Sequence, residues 1–313
     1  MYNISHGDFM LLEYYKELLG EVPSFLEKYL LDSNLERLKK VGYFCGMDYA
    51  SKDIYDFSEK ITRYDHSLTV ALLTYKLTHD KKATVAGLFH DIATPCFSHV
   101  IDYMNGDYLT QESTEAYTGD ILRGDNYLKQ CLKGDGIGLD EVIDFKKYPI
   151  VDSPRPLMCA DRIDGVILTG IGWTKSIESN DIHDIVNDMD VFVNEYGKEE
   201  IGFHSVDVAD MVVRNSKLID QYCHSREDNY MMSLLADITK HCINKGYITY
   251  KDLFTLNEEE LFTIMKNIPD VRLRGLLYIF RNITKEEIPY KDIEGIKVRE
   301  LKPLVYTKKL MRQ

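Results

Sequence analysis

The sequence lacks the features of several common protein classes. None of its six cysteines forms a Cys-x-x-Cys pair, which argues against a zinc site built from thiolates. The scattered cysteines also suggest no disulfide framework, as expected in a reducing compartment. No apolar run approaches the roughly 20 residues needed to cross a bilayer, and residues 1–20 lack the basic region, apolar stretch and cleavage site of a signal peptide. We therefore expect a cytoplasmic protein without membrane association.

Basic residues are fewer than acidic residues in this chain. The chain has 38 Lys and Arg against 51 Asp and Glu, which gives a formal net charge of −13. Nucleic acids and anionic membranes attract basic surfaces, so this balance argues against broad binding to either. It leaves room for a local basic pocket that binds a phosphorylated small molecule. With 313 residues and 44% hydrophobic residues, the chain can bury a large core in one or two domains.

Two histidines and two aspartates occur at positions that suit a metal site. His90 and Asp91 close an apolar run that starts at Val85, His66 lies 24 residues before His90, and Asp161 lies 70 residues after Asp91. A lone histidine on an apolar face is more often a core residue, but a buried aspartate is costly unless it is paired or bound to metal. Neutral imidazoles and carboxylates together suit a divalent transition ion or Mg²⁺.

The spacing of apolar residues predicts helices around these positions. An amphipathic helix is predicted over 65–79 and a second helix over about 81–93. His90 and Asp91 would stand about 100° apart on a regular helix, so both reach one ion only where the helix ends. Pro95 favours such an end.

Four other segments carry predictions. Residues 124–138 are rich in glycine but match no phosphate-loop spacing, so we predict a surface turn. Residues 178–200 hold eight acidic residues against one lysine, which is typical of a solvated face. The spacing of apolar residues over 205–246 predicts long helices. The basic residues 296–313 are compatible with a short strand, a partner-binding tail or a solvated end.

The residues around the predicted ligands resemble the HD-domain phosphohydrolase superfamily, and within it the branch of dGTP triphosphohydrolases and SAM-and-HD-domain deoxynucleotide triphosphohydrolases. The resemblance covers roughly residues 40–265. It rests on four stretches: Arg63-Tyr64-Asp65-His66-Ser67-Leu68, Leu88-Phe89-His90-Asp91-Ile92, Phe97-Ser98-His99-Val100-Ile101-Asp102 and Ala160-Asp161-Arg162-Ile163-Asp164.

This resemblance implies an all-α fold. We expect an HD helical core over residues 1–240 and a C-terminal helical extension with a basic tail over residues 241–313. Capping signals predict short helices at 250–255 and 258–267 in that extension. Assembly into a homo-oligomer is a further expectation from the family.

The resemblance also implies a ligand set and a phosphate contact. The divalent ion, which could be Mn, Fe, Ni, Co, Zn or Mg, would be held by four residues, His66, His90, Asp91 and Asp161. Arg63 corresponds to the family arginine that precedes the first histidine, and we expect it to contact the substrate phosphate.

The sequence departs from the triphosphohydrolases at the acid–base positions. The histidine expected three residues after the His-Asp pair is Thr94, and the catalytic histidine of a His-Glu pair is replaced by Gln111. Neither side chain donates a proton near neutral pH as an imidazolium does. A tyrosine near the sugar and a further aspartate are replaced by Gly165 and Thr169. We therefore expect weak or absent dGTP triphosphohydrolase activity.

The remaining candidates for chemistry lie near these positions. We take Arg63, Asp91, His99, Asp102 and Glu112 as candidate catalytic residues, and Arg63 and Gln111 as candidate substrate-binding residues. A structural role for His99 beside Asp102 is the preferred interpretation, because a Ser-His pair in an apolar turn often satisfies backbone groups. The alternative is that His99 replaces the missing acid.

Two functions from different classes fit this pattern. The first is a metal-dependent phosphohydrolase that cleaves a phosphomonoester, phosphodiester or triphosphate bond in a nucleotide or related phosphorylated small molecule. The second is a catalytically reduced HD protein that binds a nucleotide as a sensor or interaction module. Turnover would distinguish the two, whereas metal content would not.

Overall fold

The computed structural model describes residues 10–107, 114–115, 117–289, 298–306 and 310–312. The candidate residues Gln111 and Glu112 lie outside these ranges.

The fold is mostly helical, as predicted, and helices continue beyond residue 240. The α-helices of the described residues are α1 (Leu11–Leu19), α2 (Ser33–Leu38), α3 (Arg63–Thr78), α4 (Lys81–Phe89), α5 (Val100–Asn105), α6 (Thr118–Gly124), α7 (Asn126–Asp135), α8 (Leu139–Ile143), α9 (Ala160–Gly172), α10 (Ser179–Asp188), α11 (Val206–Cys223), α12 (Arg226–Asn244), α13 (Asp252–Thr255), α14 (Glu258–Asn267) and α15 (Val271–Asn282). Short 3₁₀ turns occur at Tyr29–Leu31, Met47–Tyr49, Phe145–Lys147 and Lys285–Glu287.

The central helix is α3, which packs along α4 and against α9. Its first turn is closed by reciprocal hydrogen bonds between Thr62 and Asp65, so Arg63 is its first residue. Every residue from His66 to Thr74 is buried, so the prediction of an amphipathic helix was correct about the helix but wrong about its exposed face. Buried hydroxyls such as that of Thr69 donate to carbonyls one turn back, which lets a helix with polar residues lie inside the fold.

Three apolar clusters surround the junction of α3, α4 and α9. One packs α3 and α9 against α1, α10 and α11. The second packs α5 and α12 against α13, α14 and α15, and the third packs α4 against α2 and α7. The predicted division at residue 240 stays a prediction.

A small sheet was not predicted as such. It contains β1 (Met189–Val193), β2 (Glu199–Phe203), β3 (Leu304–Tyr306) and β4 (Leu310–Arg312) in that order. β1 and β2 form an antiparallel hairpin, β2 pairs with β3 in parallel, and β3 pairs with β4 antiparallel. The C-terminal segment therefore supplies strands, which confirms the strand alternative for the basic end.

The prediction of a solvated face for the acidic segment 178–200 was wrong for part of that segment. It forms α10 and the first strands, and Glu200 within it is fully buried. Its carboxylate accepts hydrogen bonds from Arg312 at 2.9 Å and from Asn194 at 2.9 Å. A buried carboxylate is stable only with such partners, and the cation comes from 112 residues further along the chain.

The predicted surface turn over 124–138 was also wrong. Most of it is α7, whose first turn is capped by the Asp125 carboxylate. The helix ends at Gly136, whose φ of 67° lies in the left-handed region that glycine adopts without strain. The glycines therefore mark a helix end within the segment rather than a continuous loop.

Candidate metal centre

Three elements bring the predicted ligands together. α3 carries His66 close to its start, His90 follows the last residue of α4, and Asp161 is the second residue of α9. The Nε2 atom of His66 lies 3.3 Å from Nε2 of His90 and 3.2 Å from Oδ1 of Asp161. His90 Nε2 lies 3.8 Å from the same oxygen. The helix ends before His90, as the angular argument required.

Hydrogen bonds behind the two imidazoles fix which nitrogens face each other. The Nδ1 atom of His90 donates to the carbonyl of Gly87 at 2.6 Å, and Nδ1 of His66 donates to the carboxylate of Asp164 at 2.7 Å. Both Nε2 atoms are thereby directed at one another and at Asp161. Facing lone pairs and a carboxylate repel each other unless a cation lies among them.

The spacing of these atoms suits a transition ion. Ligands held about 2.1 Å from one ion lie about 3.0–3.4 Å apart at octahedral to tetrahedral angles. The separations that His66 makes with His90 and Asp161 fall in this range. His66, His90 and Asp161 are the residues that the donor set and the geometry fit to a divalent ion.

The electrostatics of the cluster also favour a cation. Burial lowers the pKa of His66, but hydrogen bonds with Asp161 and Asp164 outweigh it and raise the pKa to about 10. Burial raises the pKa of Asp161, but His66 and His90 outweigh it and hold the pKa well below its usual range. A proton on His66 satisfies one of these contacts, whereas a metal ion can satisfy all three.

Asp91 stands slightly apart from this trio. Its carboxylate oxygens lie 3.8 Å from Nε2 of His66 and 3.9 Å from Nε2 of His90. Arg63 donates to the same carboxylate at 3.0 Å, and burial, which raises the pKa of Asp91, is outweighed by His90 and Arg63, which lower it to about 2. Asp91 is thus an ionised carboxylate next to the trio, and its role as a ligand stays a prediction.

Arg63 lies beside the centre, as predicted. It is buried, and it donates to Asp91, to the Ser98 hydroxyl at 3.1 Å and to the Tyr43 carbonyl at 3.4 Å. These bonds use three of the five N–H groups of a guanidinium. Within the described part of the chain, the other two N–H groups have no acceptor and are available to a ligand.

Sequence reasoning missed Asp164, which supports His66 from behind. Asp164 is fully buried and also accepts a hydrogen bond from Tyr15 at 2.9 Å. It follows Asp161 by three residues on α9, so the two carboxylates flank the His66 ring. The signal was present in the Asp161-x-x-Asp164 spacing, but only the packing of α3 on α9 shows which imidazole lies between them.

A cavity of about 290 Å³ opens over the centre. Its lining includes the metal trio together with Asp91 and Arg63. The positions that depart from the triphosphohydrolase pattern, Thr94, Gly165 and Thr169, line the same cavity. These substitutions therefore alter the cavity in which the reaction would occur.

Tyr43 occupies part of the space that the missing tyrosine would need. A Cβ atom on Gly165 would lie 3.4 Å from the Tyr43 hydroxyl, and the Tyr43 ring also contacts His66 with 5.4 Å between ring centroids. Sequence reasoning missed this residue, because it lies 122 positions before Gly165 and belongs to no recognised motif.

His99 and Asp102 form a hydrogen-bonded pair at the cavity wall. The His99 Nδ1 atom donates to the Asp102 carboxylate at 2.9 Å, and Asp102 is fully buried. His99 keeps part of its surface exposed and lines the cavity. The hydrogen bond to Asp102 agrees with the structural role, whereas the role of His99 as a replacement acid stays a prediction.

Two further arginines in the cavity wall were missed. Arg155 comes from the loop before α9, and Arg299 comes from the segment before β3. The prediction of a solvated basic tail is wrong for Arg299, which is only partly exposed. Lys297, Lys308 and Lys309 of the same tail lie outside the described residues.

None of the helices in the described part of the chain combines the length and the apolar character required to cross a bilayer.

Comparisons with known proteins agree with the geometry. Residues 63–143 match the HD domain family model. The uncharacterized protein YdhJ of Bacillus subtilis is 22% identical over 290 residues, which cover 91% of this chain and 85% of the relative. The metal-dependent phosphohydrolase cns2 of Cordyceps militaris is 21% identical over 300 residues, which cover 94% of this chain and 84% of the relative. Neither name refers to the triphosphohydrolase branch.

Proposed function

We propose that this chain, an HD-domain metal-dependent phosphohydrolase, cleaves a phosphate ester of a small molecule in the cavity over His66, His90 and Asp161. The observation that carries the proposal is the convergence of two imidazole nitrogens and a carboxylate oxygen on one point, with Arg63 beside them. Neither a core histidine pair nor a surface ion pair explains this arrangement.

The chain's own groups supply most of what phosphate hydrolysis requires. When bound, a divalent ion binds phosphoryl oxygens and lowers the pKa of a water. Arg63 is held by Asp91 and Ser98 with two N–H groups left to neutralise charge on the phosphoryl group. Asp91 is ionised and can accept a hydrogen bond from the attacking water.

His99 is the best candidate for the proton donor to the leaving group. Asp102 holds its Nδ1 atom, which directs the opposite nitrogen away from that carboxylate, and His99 lines the cavity. A protonated imidazole can donate a proton to a leaving group, which neither Thr94 nor a glutamine can do as an acid. The roles predicted for Gln111 and Glu112 stay predictions.

A nucleotide is the substrate class that the cavity walls favour. A side cavity of about 70 Å³ shares His99 and Trp173 with the main one and is lined by flat aromatic rings. The rings of Phe44 and Phe57 stack there with centroids 4.2 Å apart. Aromatic walls suit the face of a heterocyclic base. Membership of the triphosphohydrolase branch and assembly into a homo-oligomer stay predictions.

A catalytically reduced sensor is the second candidate. Thr94 replaces a family histidine, and its side chain is buried in the cavity wall. A protein of this kind would bind nucleotide and metal without turnover.

A substrate panel separates the two candidates. The purified protein should be assayed with Mn²⁺, Mg²⁺, Fe²⁺, Co²⁺ or Ni²⁺ on p-nitrophenyl phosphate, alkyl phosphates, nucleoside mono-, di- and triphosphates, and cyclic nucleotides. We expect metal-dependent release of phosphate that a chelator abolishes, and slow or absent release of triphosphate from dGTP. Nucleotide binding without turnover of any compound would favour the sensor.

The role of His99 can be tested by measuring how the rate of hydrolysis depends on the leaving group. General-acid loss costs about 10²–10⁴-fold in rate when the leaving group is poor, whereas an aryl oxide leaves without protonation. We expect His99→Ala to lose this much on an alkyl phosphate and far less on p-nitrophenyl phosphate, while the exposed-residue control His183→Ala retains both activities. Equal losses of His99→Ala on both esters would assign His99 a structural role.

A further inference from the structure

Four arginines are gathered in the wall of the main cavity. Four arginines and four carboxylates line it, so a divalent ion makes the lining net positive. This is unusual in a chain whose net charge is −13. Positive charge concentrated in a cleft attracts an anionic ligand.

Arg63 and Arg162 are each paired with a carboxylate of the cavity wall. Arg63 is paired with Asp91 at 3.0 Å, and Arg162 is paired with Asp152 at 3.1 Å. Arg162 also donates to the carbonyl of Leu157 at 2.7 Å, so its guanidinium holds the loop before α9 in place.

Arg155 has no such partner. No hydrogen bond or ion pair joins its side chain to any of the residues that the structure describes. It is exposed at the mouth of the cavity. The part of the side chain that is covered by the cavity wall loses hydration, which lowers its pKa, and the like charges of Arg162 and Arg299 lower it further. A guanidinium crowded by two others is a site that an anion would stabilise.

Arg299 approaches the cavity from the C-terminal segment. Its backbone N–H donates to the Asp220 carboxylate on α11 at 2.8 Å, which anchors the segment to the helix wall. Its side chain lines both the main cavity and the aromatic side cavity. Arg299 and Arg155 therefore lie in the wall of the same cavity.

We propose that Arg155 and Arg299 form a second anion-binding subsite, so that the substrate carries a phosphate or carboxylate group in addition to the scissile phosphate. This inference rests on the proposed function, because it assigns the subsite to the substrate of the same cavity. The substrate class is therefore a small molecule with two anionic groups, one at the metal centre and one at the cavity mouth.

Calorimetric titration of metal-loaded protein tests the subsite without requiring turnover. The probes are α,ω-alkane bisphosphonates with one to six carbons, alkyl monophosphonates of the same lengths, and the matching phosphonocarboxylates. We expect one chain length at which the bisphosphonate binds at least tenfold more tightly than the monophosphonate. The phosphonocarboxylates show whether the second group is read as phosphate or as any anion.

Variants then assign the preference to the two arginines. Arg155→Ala and Arg299→Ala should each reduce the ratio of the two dissociation constants to below threefold, and Arg155→Lys should restore part of it. Arg272→Ala, which removes an exposed arginine on α15, is the matched control and should keep the wild-type ratio. Thermal melts confirm that each variant is folded.

The outcomes separate this inference from the proposed function. A wild-type protein without a bisphosphonate preference, or an Arg155→Ala variant that keeps it, would overturn the subsite even if phosphate esters are hydrolysed. A protein that shows the arginine-dependent preference but hydrolyses nothing in the panel would retain the subsite and overturn the hydrolase.

Discussion

At the scale of single residues, the centre depends on groups behind the ligands as much as on the ligands. Asp164 accepts the Nδ1 hydrogen of His66, and the Gly87 carbonyl accepts that of His90. These bonds fix the tautomers that expose both Nε2 atoms to one point. A carboxylate behind an imidazole also increases the basicity of its free nitrogen.

Removing the charge of Asp164 should weaken metal binding. Asp164→Asn keeps an acceptor for the His66 hydrogen but loses the negative charge, and loss of such support typically lowers metal affinity about 10–100-fold. Competition titration with a chromophoric chelator measures the affinity. Asp207→Asn, at an exposed position on α11, is the control and should bind metal as the wild type does. Wild-type affinity in Asp164→Asn would show that this carboxylate does not support the centre.

The functional residues that could be predicted from the sequence are those that belong to local motifs. His66, His90 and Asp161 were identified because histidines and aspartates at predicted helix ends form a recognisable sequence pattern. Arg155 and Arg299 were missed because neither belongs to a motif. Arg299 lies 138 residues after Asp161, and only the packing of the chain brings it to the same cavity.

At the scale of elements, the start of α14 supports the loop that holds Arg63. Glu258 accepts a hydrogen bond from the Phe97 N–H at 3.1 Å. Phe97 and Ser98 have φ angles of 66° and 44°, a region that costs non-glycine residues energy unless contacts hold them. Ser98 in turn accepts from Arg63. The C-terminal helices thereby contribute to the position of the guanidinium.

Glu258 should make stability depend on pH. Burial raises the pKa of this carboxyl to about 8, with hydrogen bonds from Gly42 and Phe97 opposing the shift. The folded state therefore keeps the proton at pH values where the unfolded state has lost it. The stabilisation is fully present below the unfolded pKa near 4.5 and is lost as pH rises through about 8.

Denaturant unfolding of wild type and Glu258→Gln between pH 5 and pH 9 measures this contribution. The free energy of unfolding of the wild type should fall relative to the variant by up to about 1.4 kcal/mol per pH unit, and the difference should level off above pH 8. Glu259→Gln, one position along the same helix and mostly exposed, is the control. A constant difference between wild type and Glu258→Gln across the range would contradict the raised pKa.

Helices and strands were predicted with different success because they leave different signals in the sequence. Capping residues marked the start of α14 correctly, since Asn257 accepts from the Glu260 N–H as expected. A strand in the C-terminal tail could be predicted only as one of three alternatives, because β3 and β4 are three residues each. β3 is stabilised by pairing with β2, about 100 residues earlier, and β4 by pairing with β3. Such pairing leaves no local pattern.

At the scale of the whole molecule, the charge of the cavity wall differs from the charge of the chain as a whole. The cavity gathers four arginines around one centre, whereas the whole chain has a net charge of −13. The absence of broad nucleic-acid binding stays a prediction. The cavity wall combines α3, α9, α11 and the C-terminal segment, so it forms only when distant parts of the chain pack together. Individual helices were predictable from periodicity and the all-α class from the family resemblance, whereas the closure of this cavity was not predictable.

The most direct test of the central claim is a crystal structure of the protein grown with Mn²⁺ and measured at a wavelength where manganese scatters anomalously. We predict one anomalous peak about 2.0–2.3 Å from Nε2 of His66, Nε2 of His90 and a carboxylate oxygen of Asp161. The peak should be absent in His90→Ala and present in His183→Ala, whose histidine is exposed. A wild-type structure with these side chains in place and no peak among them, or with manganese bound only elsewhere, would contradict the account.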